Sequence, residues 1–457
     1  MAKILIVTDH KWRDLPGNTF LKMFLEQKYG HTVVLVRLNE ERLFVPSFRP
    51  DMVIYNNLYT PDVNKYARYL HGKGVKIVIL PTEGITFSDE QTLLFSHKYS
   101  GIEFIDSYIA WNDLISGAIS HNNVLPSERI VRLGSCRFDF YSKIMGSCRK
   151  GRNYFYERYA IPIENRNILV ATNFANAEFW PDYSFLQKDL ARQRAKGIKA
   201  FGNAGKLAKY EFDYREKVFE SLRVLCREVR GVNIIIKYHP SERVSVYHKL
   251  MSDLKDLNPN VYLVEGEYIW DVLNVSDVII QRCSTVAIEA WLMDKHTVEL
   301  ELMPSINHFL QPRYKDGSVR VNNHQDLVDM VGKLLEHEQD ISADLNEQRS
   351  RILSEILENR RGGATEKIAT HVDSLLQETK ILGSLQYDGM KSRLKYYIRV
   401  LFGMKGYTFI SNLRKIKFAD YLGRYDKFFT DKDRLAWEAK LRLHVNVTER
   451  KNRGFDL

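Results

Sequence analysis

Two doubly wound α/β domains followed by a helical, basic tail are what this 457-residue sequence predicts, on three observations. Short apolar runs alternate with helical stretches along most of the chain. The pattern breaks near residues 151–166 and then begins again. The surplus of positive charge lies almost wholly after residue 384. A chain of this length exceeds what one hydrophobic core organises, so two domains are expected. With 44% hydrophobic and 27% charged residues, it has the apolar content for sizeable cores and is neither disordered nor low in complexity.

The apolar runs at 3–7, 32–38, 52–55 and 75–80, each closed by polar or turn residues, read as buried parallel strands. Helical stretches at 19–28 and 63–72 lie between them, and two further strands at 106–110 and 129–133 complete a first domain, 1–150. The basic, tyrosine-rich stretch from 149 to 166 carries Ile161-Pro162 and reads as a linker, 151–166. A second domain, 167–345, has strands at 167–171, 233–237, 261–264, 277–281 and 297–300. Helices are expected over 183–229, at Trp270, over 284–293 and over 325–337. One long charged helix, 346–386, is expected to close the body, and the tail is 387–457. The cleft between two such domains, at the carboxyl ends of the strands, is the expected binding site.

Residues 385–457 hold 17 Lys and Arg against 8 Asp and Glu, whereas the first 384 hold 50 against 49. The body is therefore neutral, which argues against a protein built around nucleic acid. Residues 391–402 interleave Lys and Arg with Tyr, Leu and Phe. That pattern suits a helix lying on an anionic membrane surface, or one packing its apolar stripe on its own protein. No apolar run reaches the ~18 residues of a membrane-spanning helix, and the opening run is too short for a signal peptide. Cys136, Cys148, Cys226 and Cys283 form no Cys-x-x-Cys pair, which favours a reduced, cytoplasmic setting.

Five strand ends carry the candidate chemistry. After the strand at 277–281 come Arg282, Cys283, Ser284 and Thr285, opening a helix whose free N–H groups and dipole would suit a phosphate. Glu289 in its second turn is placed for ribose hydroxyls, or for the solvent face of an ordinary capped helix. Lys237, His239, Pro240 and Glu242 follow the strand at 233–237, where Pro240 stops the strand and Lys237 and His239 can meet a phosphate or sugar. Glu83 and Gly84 follow the fourth strand. Glu83 can serve as a proton acceptor for a hydroxyl, or merely favour a helix dipole. Arg137 is a candidate anion partner, or an ion-pair partner of Asp139, and Asn173 ends the strand at 167–171. There is no Asp-x-Asp at a strand end, no His-x-x-x-His, no Walker loop and no Gly-x-Gly-x-x-Gly, so neither a metal nor a dinucleotide cofactor is expected.

Glu83-Gly84, Gly134-Ser135-Cys136-Arg137-Phe138-Asp139, Thr172-Asn173-Phe174, His239-Pro240-Ser241-Glu242 and Cys283-Ser284-Thr285-Val286-Ala287-Ile288-Glu289-Ala290 together resemble the bacterial surface carbohydrate biosynthesis proteins. These are similar to GT-B glycosyltransferases, and the resemblance spans about residues 1–345. A similar trio of an acidic-Glu-Gly segment, His-Pro and Ser-Ser/Thr marks bacterial sialyltransferases and polysialyltransferases, which use CMP-sugars without a metal. Here Thr82 stands where that pattern has an acidic residue.

The resemblance implies that Glu83 is the general base, that Lys237 and His239 hold the donor phosphate with Ser284 and Thr285, and that Glu289 binds ribose. Arg282 is grouped with these donor-binding residues, and Gly84, Arg137, Asn173, Pro240 and Glu242 are secondary candidates. The expected activity is metal-independent, inverting transfer from a nucleotide-sugar, with a CMP-linked acidic sugar preferred, to a glycan or lipid-linked glycan acceptor of capsule or lipopolysaccharide synthesis. The tail would hold the enzyme to the inner membrane. The alternatives are a CDP-glycerol-type polyol-phosphate transferase, a UDP-sugar 2-epimerase and a non-catalytic glycan-assembly scaffold.

Overall fold

The structure is a computed structural model describing residues 1–38, 40–58, 61–84, 101–195, 203–306, 313–336, 343–377, 394 and 429–452. The chain divides into two compact units. The first comprises the described residues of Met1–Gly84, His97–Cys148 and Ile356–Leu457; the second comprises those of Arg149–Glu355.

In the first unit, β1 (Lys3–Thr8), β2 (Thr32–Arg37), β3 (Met52–Tyr55), β4 (Lys76–Ile79), β5 (Ser107–Ala110) and β6 (Ile130–Arg132) form one parallel sheet in the order β2-β1-β3-β4-β5-β6. Ile4, Leu5, Val53, Ile54, Ile77 and Val78 are all buried on it. Both faces are covered, which is why these strands read as continuous apolar runs rather than alternating ones. The chain leaves β1 toward β2 on one side and resumes at β3 on the other. The carboxyl edge between β1 and β3 is therefore the topological switch point, where open α/β sheets bind their ligands.

The second unit repeats the plan. Its strands are β7 (Arg166–Ala171), β8 (Val232–Lys237), β9 (Val261–Leu263), β10 (Val278–Gln281), β11 (His296–Leu300) and β12 (Val319–Val321), in the parallel order β12-β11-β10-β7-β8-β9. Its core gathers Ile168, Val170, Ile234, Ile236, Val278 and Ile280 with Val218, Leu222 and Leu225 of the 25-residue helix Ala204–Glu228. The switch point lies between β7 and β10. Residue Ala171 pairs with both Lys237 and Gln281, so three strands end level there.

Several expectations change. The stretch read as a linker carries a helix, Arg152–Tyr159; Arg152 donates to the carbonyls of Ile163 and Asn165 and to Asp277, and Tyr154 and Tyr159 donate to Glu267. The single long charged helix is two, Ala343–Ile356 and Ala364–Gln377, because Asn359, Gly362 and Gly363 between them take positive φ. The second returns to the first unit, where Lys28 pairs with Glu366 and His31 Nε2 lies 3.0 Å from Asp373. Within the tail, the stretch at 391–402 lies outside the described residues except Leu394. The helix Asp431–Asn452 buries Trp437 edge-on against Phe140, together with Leu441 and Val445, on the first unit. This part of the tail packs on its own protein. Among the described residues no helix is long and apolar enough to cross a membrane.

Candidate functional site

At the level strand ends of the second unit, the polar groups sort into a buried frame and an outward set. Glu242, 6% exposed, accepts from the Thr172 hydroxyl (3.0 Å), the His239 N–H (3.0 Å) and the Tyr247 hydroxyl, and the Tyr247 and Thr172 oxygens lie 2.8 Å apart. Burial pushes the Glu242 carboxyl up, and these bonds oppose it. One carboxylate thus ties the loop after β7 to the loop after β8. Glu242, read as a secondary ligand-binding candidate, is a frame residue.

That frame orients His239. Its Nδ1 accepts the Ser241 N–H at 3.1 Å, so in the neutral ring the proton sits on Nε2, which becomes a donor. Lys237 closes β8 and Asn173 follows β7 on the same edge. Pro240 does not end the strand as expected: β8 closes at Lys237, three residues earlier, and the His239 N–H already turns to Glu242.

The loop after β10 is held by a second buried carboxylate. Glu299, fully buried in β11, accepts the Cys283 N–H at 2.8 and 3.1 Å and the Gln281 amide at 2.6 Å; Gln281 Oε1 in turn accepts the Ser284 N–H at 2.9 Å. Burial raises the Glu299 carboxyl to about 7, against the pull of Cys283 N–H, Lys315 and Arg282. The chain passes through Cys283 at φ 47°, a left-handed conformation that these bonds fix.

The helix expected over 284–293 is shorter, Val286–Trp291, and two of its expected open N–H groups are engaged: Ser284 by Gln281, and Val286 by Ser284 Oγ at 3.3 Å. The edge therefore presents hydroxyls more than amides, since among the described residues neither the Ser284 nor the Thr285 hydroxyl proton has an acceptor. Glu289 is 1% exposed, neither on a solvent face nor open to a ribose. Arg282 is also turned inward. Its guanidinium grips Glu211 with two bonds, 3.2 and 3.0 Å, inside a box of Tyr214, Phe174 and Tyr210 whose centroids lie 4.2, 5.4 and 5.7 Å away. That bidentate pair, not an anionic ligand, fills its donor fork.

In the first unit, the edge is organised by a residue the sequence reading passed over. Arg13, in the loop after β1, donates to Asp14 (2.9 and 3.2 Å), to Asp9 (3.1 Å) and to Glu83 Oε1. Against the penalty of burial, Asp14, Glu83 and Asp9 keep its guanidinium above its ordinary value. Burial conversely raises Asp14 despite Arg13. Glu83 Oε1 is anchored; Oε2 has no partner among the described residues, and the side chain is 41% exposed. A carboxylate fixed by one oxygen and open at the other has the form of a positioned proton acceptor.

Gly84 follows because a Cβ there would lie 2.6 Å from the Trp111 ring, which donates from Nε1 to the Pro81 carbonyl at 2.9 Å. Arg13, Asp14, Thr82, Ser135, Cys136 and Arg137 line one small pocket at this edge. Asp139 is spoken for, its carboxylate capping the helix Ala364–Gln377 through the N–H groups of Ala364 (3.0 Å) and Thr365 (2.9 Å). The missed signal was plain: Asp9-His10-Lys11-Trp12-Arg13-Asp14 follows an apolar strand directly, as the motifs that were chosen do.

No protein-family model and no curated protein matches the chain. Among solved structures it is similar to the UDP-GlcNAc 2-epimerase from Neisseria meningitidis bound to UDP-GlcNAc, at 14% identity and TM-score 0.51 over 82% of this chain and 100% of that one. It is also similar to the wall teichoic acid polymerase TagF, at 12% identity and TM-score 0.52 over 82% and 89%. At such identities the similarity carries the fold: two Rossmann-like domains with parallel sheets, of the GT-B type.

Proposed function

We propose that the chain is a metal-independent, inverting glycosyltransferase of bacterial surface-polysaccharide synthesis, moving a sugar from a nucleotide donor, preferably a CMP-linked acidic sugar, to a glycan or lipid-linked glycan. In this reading the two strand edges serve one reaction. Glu83 takes the proton of an acceptor hydroxyl, the acceptor oxygen attacks the anomeric carbon, and the bond to phosphate breaks. The charge arriving on the leaving phosphate is received by Lys237, the Nε2–H of His239 and the hydroxyls of Ser284 and Thr285. The observation that supports it most is the state of Glu83, one oxygen anchored by Arg13 and the other without a partner among the described residues. Cytoplasmic placement at the inner membrane belongs to the same reading.

The test is a donor screen with CMP-, UDP- and GDP-sugars and CDP-glycerol, reading thermal stabilisation. CMP-sugars are expected to stabilise the protein, and Glu83→Gln is expected to keep that stabilisation while losing transfer. Full turnover by Glu83→Gln overturns the base assignment. Similarity to the UDP-GlcNAc 2-epimerase keeps sugar isomerisation without an acceptor as a second reading, which stabilisation by UDP-sugars and an acceptor-free product would favour. Similarity to the teichoic acid polymerase keeps polyol-phosphate transfer as a third, recognised by phosphorus in the product. Unchanged glycan binding with no turnover of any donor would leave the assembly scaffold.

A further inference from the structure

The second unit carries a pocket of about 440 Å³ that none of the residues proposed for transfer lines. One wall is aromatic. Trp180 and Tyr183 lie parallel, 5° apart with centroids at 6.4 Å, and Tyr183 is 38% exposed. Gly205 lets the Tyr183 ring rest on the first turn of the helix Ala204–Glu228, since a Cβ there would sit 3.0 Å from the ring. The opposite feature is charge. Lys209 holds its ammonium 5.7 Å from the Trp180 ring centre and 2.6 Å from Asp213, while the Lys206 ammonium has no partner among the described residues. The lining acid is thus already matched, and a positive charge is left at an aromatic wall.

The volume falls in the range of small-molecule sites, ~300–1,000 Å³. An aromatic face takes up the apolar C–H face of a sugar ring as it does other apolar surface, and an unmatched lysine takes a carboxylate or phosphate as a point charge. The Asn203 Oδ1 is engaged as the helix cap, accepting the Lys206 N–H at 3.1 Å, which leaves its amide N–H groups as donors toward a ligand hydroxyl or carboxylate. Tyr210 is at once a wall of this pocket and part of the box around Arg282. A ligand here therefore lies beside the loop that follows β10.

We infer that this pocket is a binding subsite for an anionic sugar residue of a glycan chain, a second saccharide site in addition to any donor site. The inference goes beyond the transferase proposal and does not depend on it, since a scaffold could use the same pocket.

Saturation-transfer NMR on the full chain tests it with α2,8-linked tetrasialic acid, tetragalacturonate and mannose 6-phosphate as acidic probes, maltotetraose as the neutral control, and CMP. At least one acidic probe is expected to bind at least about tenfold more tightly than maltotetraose, and to weaken as salt rises. Trp180→Ala should weaken that probe about tenfold, and Lys206→Gln about threefold to fivefold. Trp180 also packs against the buried cluster that contains Leu186, Leu190 and Leu207, so the exposed Lys206→Glu carries the test if Trp180→Ala does not fold.

No binding of any acidic probe, or binding that both lysine variants leave unchanged, overturns the inference. If Trp180→Ala or Lys206→Glu abolishes CMP binding instead, the pocket belongs to the nucleotide and the saccharide assignment falls. Stabilisation by nucleotide donors is read separately, so loss of the transferase reading and loss of this one are distinct results.

Discussion

Glu299 makes the stability of the second unit depend on pH in a direction opposite to that of a paired surface acid. The carboxyl is fully buried, and its value rises from 4.5 to about 7. The native state therefore holds a proton that the unfolded chain has released. Stability from this group is fully present below about pH 4.5 and is lost as pH climbs through about 7. With those two values the loss between pH 5 and pH 8 is roughly 2.5 kcal/mol, most of it before pH 7. For a unit of ~200 residues that corresponds to a melting shift of roughly 5–10 °C.

Glu299→Gln removes the titration, so calorimetric scans at pH 5, 6, 7 and 8 should show the wild type losing that much more than the variant. The baseline should fall as well. An amide NH₂ placed against Gln281 Nε2 sets donor against donor, and turning Gln281 over would give up the Ser284 N–H bond. Parallel pH profiles for the two proteins would refute the reasoning, because the buried carboxyl would then be ionised at the same pH folded and unfolded.

Gly84→Ala drives a methyl into the Trp111 ring and should cost about 1–3 kcal/mol, read as a lower urea midpoint. Asp139→Ala removes the cap of the helix Ala364–Gln377 and should cost about 1–2 kcal/mol in the same assay, with Asp139→Asn retaining part of it. Arg282→Ala leaves Glu211 buried and unpaired and should cost about 3–5 kcal/mol; Arg282→Met combined with Glu211→Gln should cost distinctly less, which thermal scans of the single and double variants will show.

The strands were legible because parallel strands covered on both faces must be apolar throughout, and β1 or β10 can be nothing else. β12 was not, being three residues at a sheet edge with only Val321 buried. The helix Glu41–Phe48 was hidden by Pro46 within it and by acidic residues at its start that the fold buries. At the site, strand-end position could be read from the alternation of apolar and polar residues, so Glu83, His239 and Ser284 fell where expected along the chain. What a side chain does at that position could not. Glu242 and Arg282 look like ligand groups until Thr172, Tyr247 and Glu211, up to 71 residues away in sequence, are seen to consume them. Local pattern fixes where a group stands; its bonding is settled by partners that only tertiary packing supplies.

The same bonding sets the buried carboxylates of the second unit apart from Glu83 of the first. Glu242, Glu289 and Glu299 on the second unit's strand-end loops and elements are 6%, 1% and 0% exposed, and Glu242 and Glu299 already accept three hydrogen bonds each from protein groups. None is open to take a proton from a substrate hydroxyl. Among the described residues that edge presents the Ser284 and Thr285 hydroxyls as donors without acceptors, suited to an anion. On the transferase proposal the acceptor of the hydroxyl proton is Glu83 of the first unit, 41% exposed, whose Oε2 has no partner among the described residues. A pH–rate profile that follows Glu83→Asp in shape, and is indifferent to Glu242→Gln apart from stability, is the kinetic signature of that division. A profile that shifts with Glu242 and not with Glu83 would put the base on the second unit and reverse the roles.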